Sequence, residues 1–263
     1  MTMAGMTMAA PAARRRSAMT RLTITELRLF TRGRSGVGLA ISVGVPLLLM
    51  IIFGGIRSFN TPVGKFGGLT TLDVYVPILL VFAIALMSLV AMPATLAGYR
   101  ELGYLRRLKT TPAGPVRVLA AQFAVKLAVA AVTVIVLLAV ARGGYGVAVP
   151  RQVGGFVVAG VLAAASLMAA GLFVAAVAPN AGTARGIGAV LFYLMMFFAG
   201  LWLPIPDMPA VLQHISHATP LGAAVPALQN AALGQWPTWL QLVTMAGYAA
   251  AFGLAAARFF RWE

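Results

Sequence analysis

Residues that could catalyse a reaction or bind a metal are few in this chain and far apart. The sequence has five acidic residues, two histidines and no cysteine. His214 and His217 lie three residues apart, which places both on one helix face, but a metal site needs further ligands and Asp207 is the only acid nearby. No Ser, His and Asp have the spacing of a hydrolase, and the phosphate-binding pattern G-x-x-x-x-G-K-S/T is absent. We therefore expect no catalytic residue, metal or cofactor in this chain.

Residues 99–112 have a pattern suited to recognising a protein rather than to catalysis. They contain a leucine repeat, four basic residues and a closing Thr-Thr-Pro: Leu102, Leu105, Leu108, Arg100, Arg106, Arg107, Lys109, Thr110, Thr111 and Pro112. The pattern predicts a short amphipathic helix that projects from its surroundings and fills a groove on a soluble partner. A solvated basic loop would explain the Arg and Lys residues, but not the leucine repeat.

The apolar content of the chain places it in a membrane. The sequence is 61% hydrophobic and 10% charged, and a soluble domain of this size could not cover so much apolar surface. A helix of ~20 apolar residues spans the ~30 Å core of a bilayer. Six stretches reach about this length, and they are continuous rather than alternating, which predicts helices and not the strands of a membrane barrel. They are residues 37–56, 74–97, 118–141, 153–178, 186–203 and 237–257.

The positive charge predicts the orientation of these spans. Of the 20 Lys and Arg residues, 15 fall in the two ends and in alternate connections, four fall in the other connections, and Lys126 lies within a span. By the positive-inside rule, we expect both termini to be cytoplasmic. This rule also explains the net charge of +15 without a nucleic-acid partner.

Ionisable residues are scarce within the spans. No acidic residue falls at mid-membrane depth, which disfavours a proton- or sodium-coupled carrier. Lys126 lies about two helical turns from the predicted cytoplasmic end of its span, so we expect its amine to reach the lipid headgroups. The alternative is a role in binding a substrate or in gating.

Three further segments have their own patterns. Residues 1–19 are expected to be a disordered tail, and 20–263 a single domain. Residues 20–32 predict an amphipathic helix in the cytoplasmic membrane interface. Residues 204–235 alternate prolines with apolar pieces, which predicts broken helices that re-enter the outer leaflet.

The residues described so far resemble a known family. Residues 99–112 are similar to the signature of type-2 ATP-binding-cassette export permeases, in which an Arg-Glu pair, a Gly and a Leu/Arg-rich helix end in Thr-Pro. Residues 198–204, with Met208-Pro209 and Thr219-Pro220, resemble that family's fifth span and outer broken helices. The span count and the first amphipathic helix match as well, and bacterial drug exporters, such as the daunorubicin exporter's membrane subunit, are the nearest subgroup.

This resemblance implies a homodimer with two copies of a separate ATPase subunit, which would hold ATP and Mg. The implied coupling and ATPase-docking residues are Arg100, Glu101, Leu102, Gly103, Leu105, Arg106, Leu108, Thr110, Thr111 and Pro112. The implied interface helix contains Arg21, Glu26, Arg28 and Arg32. The implied cargo path contains Phe192, Met195, Met196, Ala199 and Trp202, whose soft side chains suit a lipophilic cargo.

Three alternatives compete with export of a drug-like molecule or lipid. An exporter of the same fold for polysaccharide or lipid-linked cargo would need a wider and more polar lining. A membrane scaffold that docks an ATPase without moving cargo is the second alternative. A membrane enzyme is disfavoured by the scarcity of acids, His and Cys.

Overall fold

The computed structural model describes residues 34–62, 69–103 and 115–259, including the side chains except those of 34–40 and 115–122. Eight α-helices lie in these residues: α1 (Arg34–Gly55), α2 (Thr71–Glu101), α3 (Pro115–Tyr145), α4 (Val153–Val177), α5 (Ala181–Phe198), α6 (Ala210–Ala218), α7 (Pro220–Ala232) and α8 (Trp239–Phe259). The described residues form no named β-strand and only one isolated bridge, between Pro62 and Thr70. The fold is all-α, as predicted.

Five helices are long and apolar enough to cross a membrane, namely α2, α3, α4, α5 and α8. Helix α1 has 22 residues, and its segment Ile41–Gly55 is a shorter apolar helix. The chain is therefore a multi-pass membrane protein, which confirms the predicted class. The tail 1–19, the interface helix 20–32 and the coupling residues from Leu105 to Pro112 lie outside the described residues.

The fifth span differs from its prediction of residues 186–203, because α5 begins at Ala181 and ends at Phe198. The Asn180 side chain accepts a hydrogen bond from the Thr183 backbone N–H at 2.7 Å. This cap allows the helix to begin five residues before the predicted span, since it satisfies one of the free N–H groups at a helix N-terminus.

Helix α2 is the buried centre of the bundle. In its most apolar stretch of 18 residues, 72% of the residues are buried, whereas in α8 the corresponding share is 11%. The helix starts with a capping box, in which the Thr70 Oγ1 accepts from the Asp73 N–H and the Asp73 carboxylate accepts from the Thr70 N–H. Because neighbouring helices cover α2 on nearly all sides, a displacement of α2 must disturb the whole core.

A π-helical turn, Leu86–Ala91, interrupts α2 near its middle, just before Pro93. Proline has no N–H to complete the α-helical bond to the carbonyl four residues back, and a wider turn accommodates this loss. The carbonyl oxygens of Ser88 and Leu89 press against glycines of two other helices, Gly171 of α4 and Gly188 of α5. A Cβ at either glycine would overlap the opposing oxygen, so only glycine permits this approach.

The bundle has two structurally different ends, and arginines lie at both, with Arg57, Arg142 and Arg151 opposite Arg100. The end with Arg100 is called the basic end, after the basic segment of residues 100–117 in the sequence. The basic end contains Arg100, Arg185 and Arg258, and the helix ends at Glu101, Val177 and Phe259 lie there. The opposite end, called the distal end, contains the broken elements predicted for residues 204–235. These elements are a 3₁₀ turn (Ile205–Asp207), α6 and α7.

Side chains satisfy backbone groups where the distal helices break. The Ser216 hydroxyl donates to the Phe198 carbonyl at 2.5 Å, and the Gln213 amide donates to the Met208 carbonyl at 2.8 Å. The Thr219 hydroxyl accepts from the Gly222 N–H at 3.0 Å. Such partners allow irregular backbone to lie at membrane depth, because they replace the hydrogen bonds that water would supply. The prediction of broken helices in 204–235 is confirmed.

Candidate functional site

The first residues of the predicted coupling segment form the end of α2 at the basic end. Arg100 and Glu101 are its last two helical residues, and Leu102 and Gly103 form a turn after it. The Leu102 side chain is 77% exposed. Gly103 adopts a φ of +65°, a backbone conformation that a residue with a Cβ rarely adopts. The turn therefore ends α2 at Glu101 and leaves the apolar Leu102 side chain uncovered.

Arg100 is bonded to the end of α4. Its guanidinium donates to the carbonyl of Ala175 at 3.4 Å and to the carbonyl of Ala178, directly after the helix. The last carbonyls of a helix have no partner within the helix and carry partial negative charge, so a cation stabilises them.

Glu101 is bonded to the start of α5. Its carboxylate Oε1 accepts a hydrogen bond from the backbone N–H of Ala181 at 2.9 Å. The first N–H groups of a helix carry partial positive charge, which an anion stabilises. Adjacent residues of opposite charge in α2 thus bond to the two oppositely polarised helix ends of the α4–α5 corner.

Small side chains pack beneath these hydrogen bonds. Ala97, Ala178 and Ala184 are fully buried in one cluster, and Ala181 packs against it. Alanine allows the three helices to approach closely, so that the side chains of Arg100 and Glu101 reach the backbone of the corner. We call this arrangement of Arg100, Glu101 and residues 175–181 the corner clamp.

The residues of the predicted cargo path do not share one environment. Phe192, Met195, Met196 and Ala199 are between 0% and 9% exposed, inside the core of the chain, whereas Trp202 is 55% exposed. The exposed face of α5 carries other side chains, among them Ile187, Val190, Tyr193 and Leu194. The Tyr193 ring lies 6.5 Å from the Trp202 ring.

Lys126 is 3% exposed, and its side chain interacts with another group of the chain. The expectation that its amine reaches the lipid headgroups is therefore corrected, because protein covers it. The sequence could not show this burial, because the residues around Lys126 are mostly apolar and do not reveal which face of α3 packs inward.

The two histidines lie on α6 at the distal end, where both are exposed. Within the part of the chain that the structure describes, no three His, Cys, Asp or Glu side chains are grouped so as to hold a metal ion.

A cavity of about 730 Å³ lies at the distal end. Its walls come from the first turns of α2, the connection between α3 and α4, the 3₁₀ turn and α7, and most of them are apolar. Polar or charged side chains at its lining are Asp73, Arg151, Gln213, His217, Gln229 and Asn230. Of the predicted path residues, Ala199 alone lines this cavity.

The partners of the corner clamp were not predicted. Ala175, Ala178 and Ala181 contribute backbone groups, which no side-chain pattern reveals. A signal that could have located the corner is Pro179-Asn180, since Asn is a preferred N-cap and marks the start of α5.

Comparison with known proteins agrees with this architecture. The sequence model of the family described as ABC-2 type transporter matches residues 19–233, which include the clamp and the distal broken helices. No curated protein matches the chain significantly.

Proposed function

This chain belongs to the ABC-2 type transporter family as a membrane permease, and from this premise we propose that it exports a hydrophobic or amphipathic small molecule, or a lipid, from a bacterial cell. A separate subunit would hydrolyse the ATP. The proposal includes a homodimer in the inner membrane with both termini cytoplasmic, so that the basic end faces the ATPase.

The observation that carries this proposal is the continuity between the predicted docking segment and the buried core. In the sequence, residues 102–112 directly follow α2, the most buried of the candidate membrane spans. Two ATPase subunits that close on ATP would displace this segment and thereby tilt α2. A ligand shifts a conformational equilibrium only through different contacts with the two states, and the docking segment would supply that difference.

The exposed face of α5 supports a lipophilic cargo. In the conformation described here, we propose that Tyr193 and Trp202 contact the cargo, together with the aliphatic side chains of the same face. Large apolar and aromatic side chains with a polar tip suit amphipathic molecules. A polysaccharide would require a more polar lining. The size and apolar walls of the distal cavity also suit a drug-sized molecule.

Leu102 provides a test of ATPase docking. We expect Leu102→Asp to reduce recovery of the ATPase with the permease by about tenfold or more, because a charge replaces an exposed apolar contact at the partner's groove. The measurement is co-purification of the two subunits from membranes. Thr183→Asp is the matched control, since it adds the same charge at an exposed position of the basic end.

Transport itself is measured in vesicles that contain the permease and the ATPase. We expect ATP-dependent flux of a lipophilic fluorescent amphipath, and Leu102→Asp should abolish it. ATPase binding without flux at any ATP concentration would contradict export and favour the scaffold.

A further inference from the structure

The corner clamp points to a role for Arg100 and Glu101 that differs from docking. We propose that both are positioning residues. Arg100 fastens the end of α4, and Glu101 the start of α5, to the end of α2, so that the α4–α5 corner moves with α2 when the ATPase displaces residues 102–112. This inference rests on the proposed function, since it concerns how motion reaches the cargo-facing helix.

The bonds already made by the two side chains support this role. The Arg100 guanidinium reaches two carbonyls of the α4 end, and the Glu101 carboxylate accepts from the first N–H of α5. Both charges have the sign that favours the helix end they contact. If contact with the ATPase were their main role, these groups would have no need to bond to the corner.

The packing of α5 explains why a fastening is required. In the most apolar stretch of α5, only 22% of the residues are buried within the chain. The helix packs mainly against α2. The contacts lie at three levels, which are the corner clamp, the close approach of Gly188 to the Leu89 carbonyl at the π-turn, and the Phe192 ring against Phe82. Separated attachments prevent α5 from pivoting about any one of them, so a tilt of α2 carries the exposed face of α5 with it.

A disulfide can replace the clamp in a test. A Cβ placed at Gly98 would lie 3.9 Å from the Cβ of Ala181, which matches the ~3.8 Å separation in disulfides. The sequence has no cysteine, so Gly98→Cys with Ala181→Cys gives a single defined bridge between α2 and α5.

We expect Glu101→Ala to lower the ATP hydrolysis coupled to transport by about tenfold, an effect of the size that loss of one charge-assisted hydrogen bond produces. Recovery of the ATPase on co-purification should stay unchanged. In the triple variant with both cysteines, oxidation should restore coupled hydrolysis to near the wild-type rate, and reduction of the same sample should remove it again. Loss of ATPase binding in Glu101→Ala, or failure of the bridge to restore coupling, would overturn the proposal.

An error in the proposed function would give a different result from an error in the role of the clamp. If the wild-type complex shows no flux, the proposed function is wrong. In that case, the role of the clamp is tested by the rate at which a disulfide forms between Cys residues introduced at positions 98 and 181, measured in membranes. We expect the disulfide to form more slowly when Glu101→Ala is added to the two cysteine substitutions. An equal rate with Glu101 and with Ala at this position would overturn the proposed role of the clamp.

Discussion

At the scale of single residues, the neighbours Phe192 and Tyr193 show how one helix serves two purposes. Phe192 is 4% exposed and packs edge-on against Phe82 of α2, with ring centroids 5.2 Å apart. Tyr193 is 61% exposed on the adjacent face, and its ring lies edge-on to the Phe192 ring with centroids 5.4 Å apart. Residues next to each other in sequence therefore separate into a core position and a candidate cargo contact, because a helix rotates about 100° per residue.

This separation predicts opposite phenotypes for two truncations. We expect Phe192→Ala to destabilise the protein by ~3–5 kcal/mol, since it leaves a cavity against α2. Tyr193→Ala should cost less, about 0.5–1.5 kcal/mol, because its exposed ring loses only the contacts with Phe192 and Trp202. Thermal unfolding in detergent measures the first effect. For Tyr193→Ala, the expected result is a weaker apparent affinity for the lipophilic probe in the flux assay, and an unchanged affinity would argue against this face as the cargo contact.

At the scale of elements, the π-turn of α2 determines how closely three helices approach. The Ser88 and Leu89 carbonyls require glycine on the facing helices α4 and α5. Ser88 Oγ is buried and has no hydrogen-bond partner among the described residues, which is unusual within a packed core. π-Turns are frequent at functional sites. This one attaches α5 to α2 at a second level, nearer the middle of α2 than the corner clamp.

A single methyl group tests this contact. We expect Gly188→Ala to destabilise the protein by ~1–3 kcal/mol, because the added Cβ overlaps the Leu89 carbonyl and the backbone must shift. Gly186→Ala is the matched control on the same helix, because a Cβ there meets nothing within 4 Å. The control should be neutral or slightly stabilising, since alanine favours helix. Similar melting temperatures for the two variants would show that the close approach is absent.

At the scale of the whole molecule, the two ends of the bundle are expected to face different compartments. The basic end carries the corner clamp, whereas the distal end carries the broken helices and the cavity. The proposed mechanism needs the basic end inside the cell, where ATP and the ATPase are found.

Labelling of single cysteines checks this orientation. In the cysteine-free chain, Leu105→Cys should react with a membrane-impermeant maleimide only after the cells are opened, because it lies in the basic segment. His214→Cys, at an exposed position of α6, should react in intact cells. If position 105 reacts in intact cells, the docking segment lies outside the cell, and this result would contradict the proposed mechanism.

Most of the membrane architecture could be predicted from sequence. Long apolar runs locate the spans because a bilayer requires uninterrupted apolar length, and prolines locate the broken helices of residues 204–235. Residues 99–112, together with residues 198–204 and the span count, indicated the family, which the match to residues 19–233 confirms. These features depend on local composition and spacing, and no tertiary contact is needed to recognise them.

Only the tertiary structure decided which groups the helices bring together. Spans such as α5 are apolar on every side, so their sequence could not tell the buried Phe192 from the exposed Tyr193. The charges of Arg100 and Glu101 were visible in the sequence, but their partners are backbone groups of alanines about 80 residues away. Backbone carbonyls and N–H groups are the same in every such residue, and only the packing of the helices determines which of them a charged side chain reaches.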